Sequence, residues 1–142
     1  MIATIRAYHS GDGDALRALW LEVGFRLLGD SDAGLDAFAA RNPGLILVAE
    51  DEAGHVIGSA LGGWDGRRGR LYHVATAPDR RRGGVATELV RRAEAGLRSL
   101  GCPRVLLSVE SSNDEALAFW RRLGYDVLPT REMGKTLAPD PS

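Results

Sequence analysis

Three arginines followed by two glycines, at residues 80–84, form the stretch of this sequence with the most distinctive chemistry. The apolar run at residues 71–77 predicts a strand before them, and the spacing of apolar residues over 85–100 predicts an amphipathic helix after them. Glycines let the backbone approach a ligand closely, and the first amides of a helix lack intrahelical partners and attract anions. With the charged donors of the arginines, this strand, turn and helix predict a binding site for phosphate groups.

The spacing of the glycines decides between known phosphate motifs. It fits neither Gly-x-Gly-x-x-Gly nor the Gly-Lys-Ser/Thr of a P-loop. Residues 81–86 instead match Arg-x-x-Gly-x-Ala, which resembles the acetyl-CoA signature of the GNAT superfamily of N-acetyltransferases. Residues 113–125 resemble the second motif of that superfamily at the expected distance, and residues 59–134 are similar to its small bacterial YpeA-like branch. On the first motif alone, a glycine-rich turn with solvated arginines is the alternative.

The resemblance implies that acetyl-CoA is the cofactor and that no metal takes part. In the superfamily the pantetheine arm binds the backbone of the strand before the phosphate loop, which corresponds here to Val74, Ala75 and Thr76. The diphosphate is then expected on the loop and the first helical turn, at Arg81, Arg82, Gly83, Gly84, Val85, Ala86 and Thr87. Asn113 corresponds to a cofactor-binding asparagine of the second motif, and capping of the next helix is an equal alternative for it.

Transfer of an acetyl group to an amine requires the amine to lose a proton, so a general base and a general acid each help. The superfamily often uses a tyrosine as the acid, and this chain has Trp120 at the corresponding position. An indole does not give up its proton at a useful pKa, so Trp120 packs in the core or at most donates a hydrogen bond to sulfur. Candidates for the base are Glu50 and Glu110, each at the end of a predicted strand, and His73, because histidine as a residue type can act as a general base near neutral pH.

The resemblance also implies where the acceptor amine binds. In the superfamily the first two helices, their connection and the turn between the third and fourth strands form this pocket, and Trp64 begins that turn here. Asp30 and Asp65 suit a cationic acceptor, whereas Arg26 suits an anionic group. Because both signs of charge are present, the sequence does not choose between these acceptors. The expected substrate is the primary amine of a small molecule or peptide.

Composition limits the other classes of function. The chain has 142 residues, a net charge of −1 and one cysteine, Cys102. This length predicts a single domain, which we assign to residues 1–137, followed by a frayed tail at 138–142. The near-neutral charge argues against nucleic-acid and membrane partners, and the single cysteine fits a reducing compartment. No apolar run approaches the ~20 residues of a membrane span. We therefore expect a cytoplasmic protein that is a monomer or homodimer.

The hydrophobic pattern predicts an α/β domain in the order β-α-α-β-β-β-α-β-α-β-β, with a mixed, mostly antiparallel sheet flanked by helices. The first helix is expected over 14–28, and a capping box of Ser112 and Glu115 is expected to open the last one. A strand is expected over 104–109, parallel to the strand at 70–77, and a final antiparallel pair over 125–128 and 131–136. This order is that of the GNAT fold.

Two alternatives to an active acetyltransferase remain at this point. The first is a CoA-binding GNAT-like module with lost or weak catalysis that acts as a sensor or interaction partner, and Trp120 in place of tyrosine favours it. The second is a binder of other phosphates or of nucleic acid that uses residues 80–82. The balanced net charge argues against this second alternative.

Overall fold

The computed structural model describes residues 3–138, so the expected frayed tail lies outside the described residues except for residue 138. The chain divides into two compact units, which comprise the described residues up to 107 and from 108 onwards. Within residues 3–138, no helix is long and apolar enough to cross a bilayer. The elements are β1 Thr4–Ala7, α1 Gly13–Glu22, α2 Asp32–Arg41, β2 Ile46–Glu50, β3 Val56–Trp64, β4 Gly69–Thr76, a 3-10 turn Pro78–Arg80, α3 Val85–Ser99, β5 Val105–Leu106 and α4 Asp114–Arg122.

The strands of the first unit form one mixed sheet in the order β1-β2-β3-β4-β5. The first four strands pair antiparallel, and β4 pairs parallel with β5 across the crossover helix α3, as predicted. Helices lie on both faces of the sheet. On one face the indole of Trp20 in α1 donates a hydrogen bond to Ser59 of β3. On the other face the adjacent Gly58 lies against Val85 and Leu89 of α3. A Cβ on Gly58 would lie 3.1 Å from both of these α3 side chains, so glycine lets α3 pack closely on β3. The predicted fold class is therefore confirmed.

Helix α1 ends at Glu22, so the prediction of a helix over 14–28 is wrong beyond that residue. Gly24 adopts a left-handed conformation with φ of 88°, and the amide of Phe25 donates to the carbonyl of Trp20 at 2.8 Å. This is the Schellman arrangement that closes helices at a glycine. Residues 23–31 consequently form a loop, and the same stop places Phe25 and Asp30 in that loop.

The second unit departs most from the prediction. Residues 125–138 contain no strand, so the expected final antiparallel pair is wrong for this structure. A strand pair needs one face to bury, and here Val127, Met133 and Leu137 are all more than half exposed. The strand expected over 104–109 is also reduced to the two residues of β5.

The start of α4 also differs from the expected capping box. The cap is Asn113, whose Oδ1 accepts from the amide of Ala116 at 3.0 Å, so the pairing of Ser112 with Glu115 is wrong. An asparagine satisfies a free amide of the first turn as well as a serine does, and it lies one residue closer to the helix. The helix-cap alternative for Asn113 is therefore present in the structure.

Strand β4 contains a bulge at its centre. Ser59 pairs with Ala75 and Leu61 with Tyr72, so the register shifts at His73, which has φ of 46°. The bulge adds a residue and resets the alternation of side chains. As a result the neighbours Tyr72 and His73 both face the α1 and α2 side, where Tyr72 meets Phe38 and His73 meets Trp20.

Candidate active site

Within residues 3–138, the edge of β4 beyond Arg70 has no neighbouring strand. Strand β5 pairs with β4 only at Gly69 and Arg70, and β5 ends at Leu106. On the other side the amide of Ala77 donates to the carbonyl of Ile57 in β3 at 2.8 Å. Because bonding alternates along an antiparallel ladder, Ala75 also directs its N–H and C=O to β3. Val74 and Thr76 direct theirs away from β3, towards the edge that β5 does not follow.

The turn after β4 brings the start of α3 to the same end of the sheet. Arg82 and Gly84 both adopt left-handed conformations, with φ of 73° and 79°. Gly84 caps α3 without a side-chain hydrogen bond, so the amides of the first turn have no side-chain cap. Arg81, Arg82, Gly83 and Gly84 are exposed, whereas Val85 is buried and anchors the helix.

Arg80 is engaged in holding this turn. Its Nη2 donates to Asp51 Oδ2 in the β2–β3 turn at 2.9 Å. The amides of His55 and Ala53 also donate to Asp51, and these bonds lower the pKa of its carboxyl. Arg80 therefore ties the phosphate loop to the neighbouring hairpin, which leaves Arg81 and Arg82 as the arginines that face solvent.

Thr76, the last residue of β4, has a buried side-chain hydroxyl. Its side chain is 8% exposed, and within residues 3–138 its Oγ1 is buried without a hydrogen-bond partner. Buried hydroxyls without partners are rare in folded proteins, because each costs free energy. The unpaired backbone groups of β4, the uncapped start of α3 and this hydroxyl fit an extended ligand that ends in phosphates.

His73 is held in β4 by contacts from α1 and from the loop that follows it. Its Nε2 lies 2.9 Å from Oδ2 of Asp30, which is 6% exposed and also accepts from the amide of Leu28 at 3.1 Å. Its ring stacks on Phe25 at 5.2 Å and meets Trp20 at 4.4 Å. A carboxylate can only accept, so in a neutral ring Nε2 carries the proton and Nδ1 keeps the lone pair.

The backbone of His73 is fixed by a second chain of hydrogen bonds. Its carbonyl accepts from Ser59 Oγ at 2.7 Å, and Ser59 Oγ accepts from the indole of Trp20 at 2.8 Å. Ser59 and Trp20 are both fully buried. The bulge that turns the imidazole towards Asp30 is thus supported from inside the core.

The two glutamates considered as bases have different surroundings. Glu50 lies on β2, two strands away from β4, and its Oε2 is 3.4 Å from Nε of Arg6. Glu110 is exposed, lies in the second unit and follows the end of β5 by four residues, so it does not end a strand as expected. Among these candidates, only His73 lies on β4.

Trp120 and Asn113 belong to the second unit. Trp120 is half-buried and makes edge-on ring contacts with Phe119 and Tyr125, each with centroids 5.1 Å apart. The amide of Tyr125 donates to the carbonyl of Trp120 at 3.0 Å, which fixes the end of α4. Packing within its own unit therefore accounts for the position of Trp120.

The residues expected around the acceptor are distributed unevenly. Asp30 is buried against His73, and Arg26 is exposed in the loop after α1. Asp65 and Trp64 lie at the β3–β4 turn and line a pocket of about 330 Å³ that is bounded by α2 on its other side. The carboxylate of Asp65 accepts from the amides of Arg68 and Arg67, which lowers its pKa.

The pairing of His73 with Asp30 was missed by sequence reasoning. Both residues were candidates, but as a base and as a substrate ligand, and the first helix was expected to continue to residue 28. A helix of that length would have carried Phe25 around the helix axis, away from β4. Gly24 could have predicted the end of this helix, because a glycine after an apolar helical stretch is a common helix stop.

Similarity to known proteins shows that the chain is an acyltransferase. The sequence model of the Acetyltransferase (GNAT) family matches residues 13–125. A protein named an acetyltransferase from Pectobacterium atrosepticum is 34% identical over 137 residues, which cover 96% of each chain.

Solved structures share the fold. Naa20 of Chaetomium thermophilum, in complex with a bisubstrate analogue, has a TM-score of 0.77 at 26% identity, over 87% of this chain and 71% of that one. Ard1 from Thermoplasma volcanium has a TM-score of 0.80 at 22% identity, over 90% and 85% of the two chains. The chain belongs to the GNAT family and is an N-acetyltransferase, as the sequence motifs predicted.

Proposed function

We propose that the protein transfers the acetyl group of acetyl-CoA directly to the primary amine of a small molecule or peptide. The observation that carries this proposal is the open edge of β4 leading into the uncapped start of α3. Val74 and Thr76 would bind the pantetheine arm through their outward N–H and C=O groups. The amides of Val85, Ala86 and Thr87, with Arg81 and Arg82, would bind the diphosphate. The bisubstrate analogue bound to Naa20 is consistent with this mode.

His73 is the proposed base. Acetyl-CoA supplies the acetyl group as a thioester. The neutral amine attacks the thioester carbonyl, the C–S bond breaks and CoA leaves as a thiolate or thiol, so the amine must lose a proton. Nδ1 of His73 would take that proton, since Asp30 accepts from Nε2 and its negative charge stabilises the imidazolium that forms. Trp120 keeps its indole proton and has no acid role in this proposal. Asn113 uses its Oδ1 to cap α4.

A second candidate function is a CoA-binding module with lost or weak catalysis. The observation that favours it is Trp120, which packs against Phe119 and Tyr125 at the position where the family often has its acid. The two candidate functions use the same CoA site and differ only in whether the acetyl group is transferred to an amine. A cytoplasmic location is part of the proposal, and its support is the single cysteine.

Two glycines at opposite ends of α3 allow a matched test of the cofactor site. Gly84 and Gly101 have φ of 79° and 87°, and a Cβ on either meets no atom within 4 Å. Gly84→Glu and Gly101→Glu therefore add the same charge and similar backbone strain. By calorimetry, Gly84→Glu should weaken CoA binding at least about a hundredfold, because a carboxylate replaces the phosphate at the helix start. Gly101→Glu should bind as wild type does.

Thiol release with acetyl-CoA over a panel of amines separates the two candidate functions. Transfer to at least one amine, lost in Gly84→Glu, supports the enzyme. Binding without transfer to any amine supports the inactive module. Equal CoA affinity of the two variants would show that α3 does not hold the phosphates.

A further inference from the structure

The turn between β2 and β3 contacts the start of the phosphate loop through an ion pair. Nη2 of Arg80 lies 2.9 Å from Oδ2 of Asp51, which is 29 positions away in the chain. We propose that Asp51 is a positioning residue for the cofactor. It holds Arg80, so that the backbone of residues 81–84 keeps the conformation that binds the CoA diphosphate. This inference rests on the proposed acetyl transfer, because it concerns the CoA site of that reaction.

The carboxylate of Asp51 is fixed by its own turn. Its Oδ1 accepts from the amides of His55 at 2.9 Å and Ala53 at 3.0 Å, while its Oδ2 faces Arg80. The amide of Asp51 donates to the carbonyl of His55 at 2.9 Å, so main-chain bonds also close the turn. The side chain of Asp51 is only 8% exposed. A charged hydrogen bond to an acceptor that is already immobile costs less side-chain entropy than a pair between two free surface chains.

Arg80 lies where the chain leaves the sheet. It ends the 3-10 turn that begins at Pro78, and its amide donates to the carbonyl of Ala77 at 2.9 Å. The amide of Ala77 in turn donates to Ile57 of β3. The side chain of Arg80 is 28% exposed, so most of its length is covered. Arg80 is therefore the residue through which the sheet and the β2–β3 turn can fix the loop that follows.

The exposed residues between Arg80 and Val85 have a backbone that must be held. Arg82 and Gly84 are left-handed, with φ of 73° and 79°, and this conformation has a steric cost for Arg82 that it does not have for glycine. Residues 81–84 are all exposed, so little packing holds them. The ion pair of Arg80 fixes one end and the buried Val85 fixes the other. A loop that is already in the binding conformation needs less ordering when the ligand arrives, and so binds it more tightly.

A direct contact with the phosphates is the alternative role for Arg80. Two carboxylates lie beside its guanidinium, because Oδ2 of Asp79 is 3.8 Å from its Nε. They reduce the attraction of Arg80 for an anion. The two acids differ in exposure, since the side chain of Asp79 is 81% exposed against 8% for Asp51. An exposed pair at such a distance contributes little, so Asp79→Asn is a matched control beside the same arginine.

Calorimetry with CoA tests the role of Asp51 in the full chain. Asp51→Asn keeps an oxygen for the two amides of its turn and removes the charge that holds Arg80. The Kd for CoA should rise at least about tenfold, and Asp79→Asn should stay within about twofold of wild type. With an amine that accepts the acetyl group, the KM for acetyl-CoA should rise by the same factor and kcat should stay within about twofold. Loss of folded protein would instead lower the number of binding sites and kcat.

A double variant separates positioning from direct contact. Arg80→Gln alone should weaken CoA binding about tenfold, but by no more than about threefold when Asp51→Asn is already present. Arg80→Lys keeps a charged donor for Asp51 and should restore most of the affinity. Fully additive effects of Asp51→Asn and Arg80→Gln would show that Arg80 contacts the phosphates independently, and would overturn the positioning role.

Trypsin cleavage without ligand tests the loop itself, because trypsin cuts after arginine in segments that open locally. Cleavage after Arg81 and Arg82, followed by mass spectrometry, should be at least about fivefold faster in Asp51→Asn than in wild type or Asp79→Asn. Equal cleavage rates would overturn the inference. If wild type binds CoA and Asp51→Asn binds it equally well, the inference alone fails and the proposed function stands. If wild type binds no CoA, both fail.

Discussion

At the scale of single residues, the position of His73 depends on groups from distant parts of the chain. A non-glycine residue with φ of 46° costs on the order of 1–3 kcal/mol. Ser59, Trp20 and Asp30 offset this cost through hydrogen bonds of 2.7 to 2.9 Å. Strain that is held in place by a buried network is common at functional sites.

Replacement of Asp30 tests whether this network serves catalysis. Asp30→Asn preserves shape and can still accept from Nε2, but it removes the charge that stabilises an imidazolium at His73. We expect kcat to fall at least about tenfold with the KM for acetyl-CoA unchanged, and His73→Gln to fall further. Asp32→Asn is the control, since the side chain of Asp32 is largely exposed and pairs with Arg17. If Asp30→Asn lowers kcat no more than the control does, His73 is not the base.

At the scale of elements, Asp12 fastens α1 to β1. Its two carboxylate oxygens accept from Arg6 at 2.8 and 2.9 Å, and one also accepts from the amide of His9 at 2.9 Å. The Arg6 guanidinium is the main cause that lowers the pKa of Asp12 below its ordinary value. Helix α1 contains Trp20 and leads into the loop with Asp30, so the contact between Asp12 and Arg6 supports the site as well as the fold.

The lowered pKa of Asp12 predicts a specific loss of stability in acid. A carboxyl with a depressed folded-state pKa stabilises the fold above its unfolded pKa of about 4, and this contribution is lost as pH falls through the folded-state pKa. Urea unfolding should therefore show a steeper decline in stability between about pH 4 and pH 2 for wild type than for Asp12→Asn. Asp14→Asn, on a side chain that is 99% exposed, should follow wild type. Parallel declines for all three proteins would contradict this role.

The elements also show what the sequence could and could not predict. The apolar spacing correctly predicted α3 and the first four strands. In α3, Val85, Leu89 and Val90 repeat at helical intervals over one buried face. The end of α1 depended on a single glycine, Gly24. The bulge at His73 depended on pairing with β3, and no local pattern encodes such a register. The phosphate loop is a local motif, whereas the contact of His73 with Asp30 spans 43 positions and needs the fold.

At the scale of the whole molecule, burial is concentrated in the first unit. Val48, Ala60, Leu89 and Leu97 are fully buried there, and α3 packs closely on β3 at Gly58. Among the described residues from 108 to 138, none is buried, and α4 has no buried residue. The final strands were expected from the hydrophobic pattern, but this segment has too little buried apolar surface of its own to hold a strand pair.

This contrast predicts two levels of amide hydrogen exchange in the protein without ligand. Amides of β2, β3 and α3 should exchange only through global unfolding, since their side chains form the core. Amides of α4 and of residues 125–138 can open locally, because few buried contacts oppose it, and their protection should be at least about a hundredfold lower. The control is the C-terminal half of α3, a helix of similar hydrogen bonding whose Ala93 and Leu97 are buried. Protection in α4 equal to that in α3 would mean that α4 unfolds only with the core, and the separation into two units would then have no energetic counterpart.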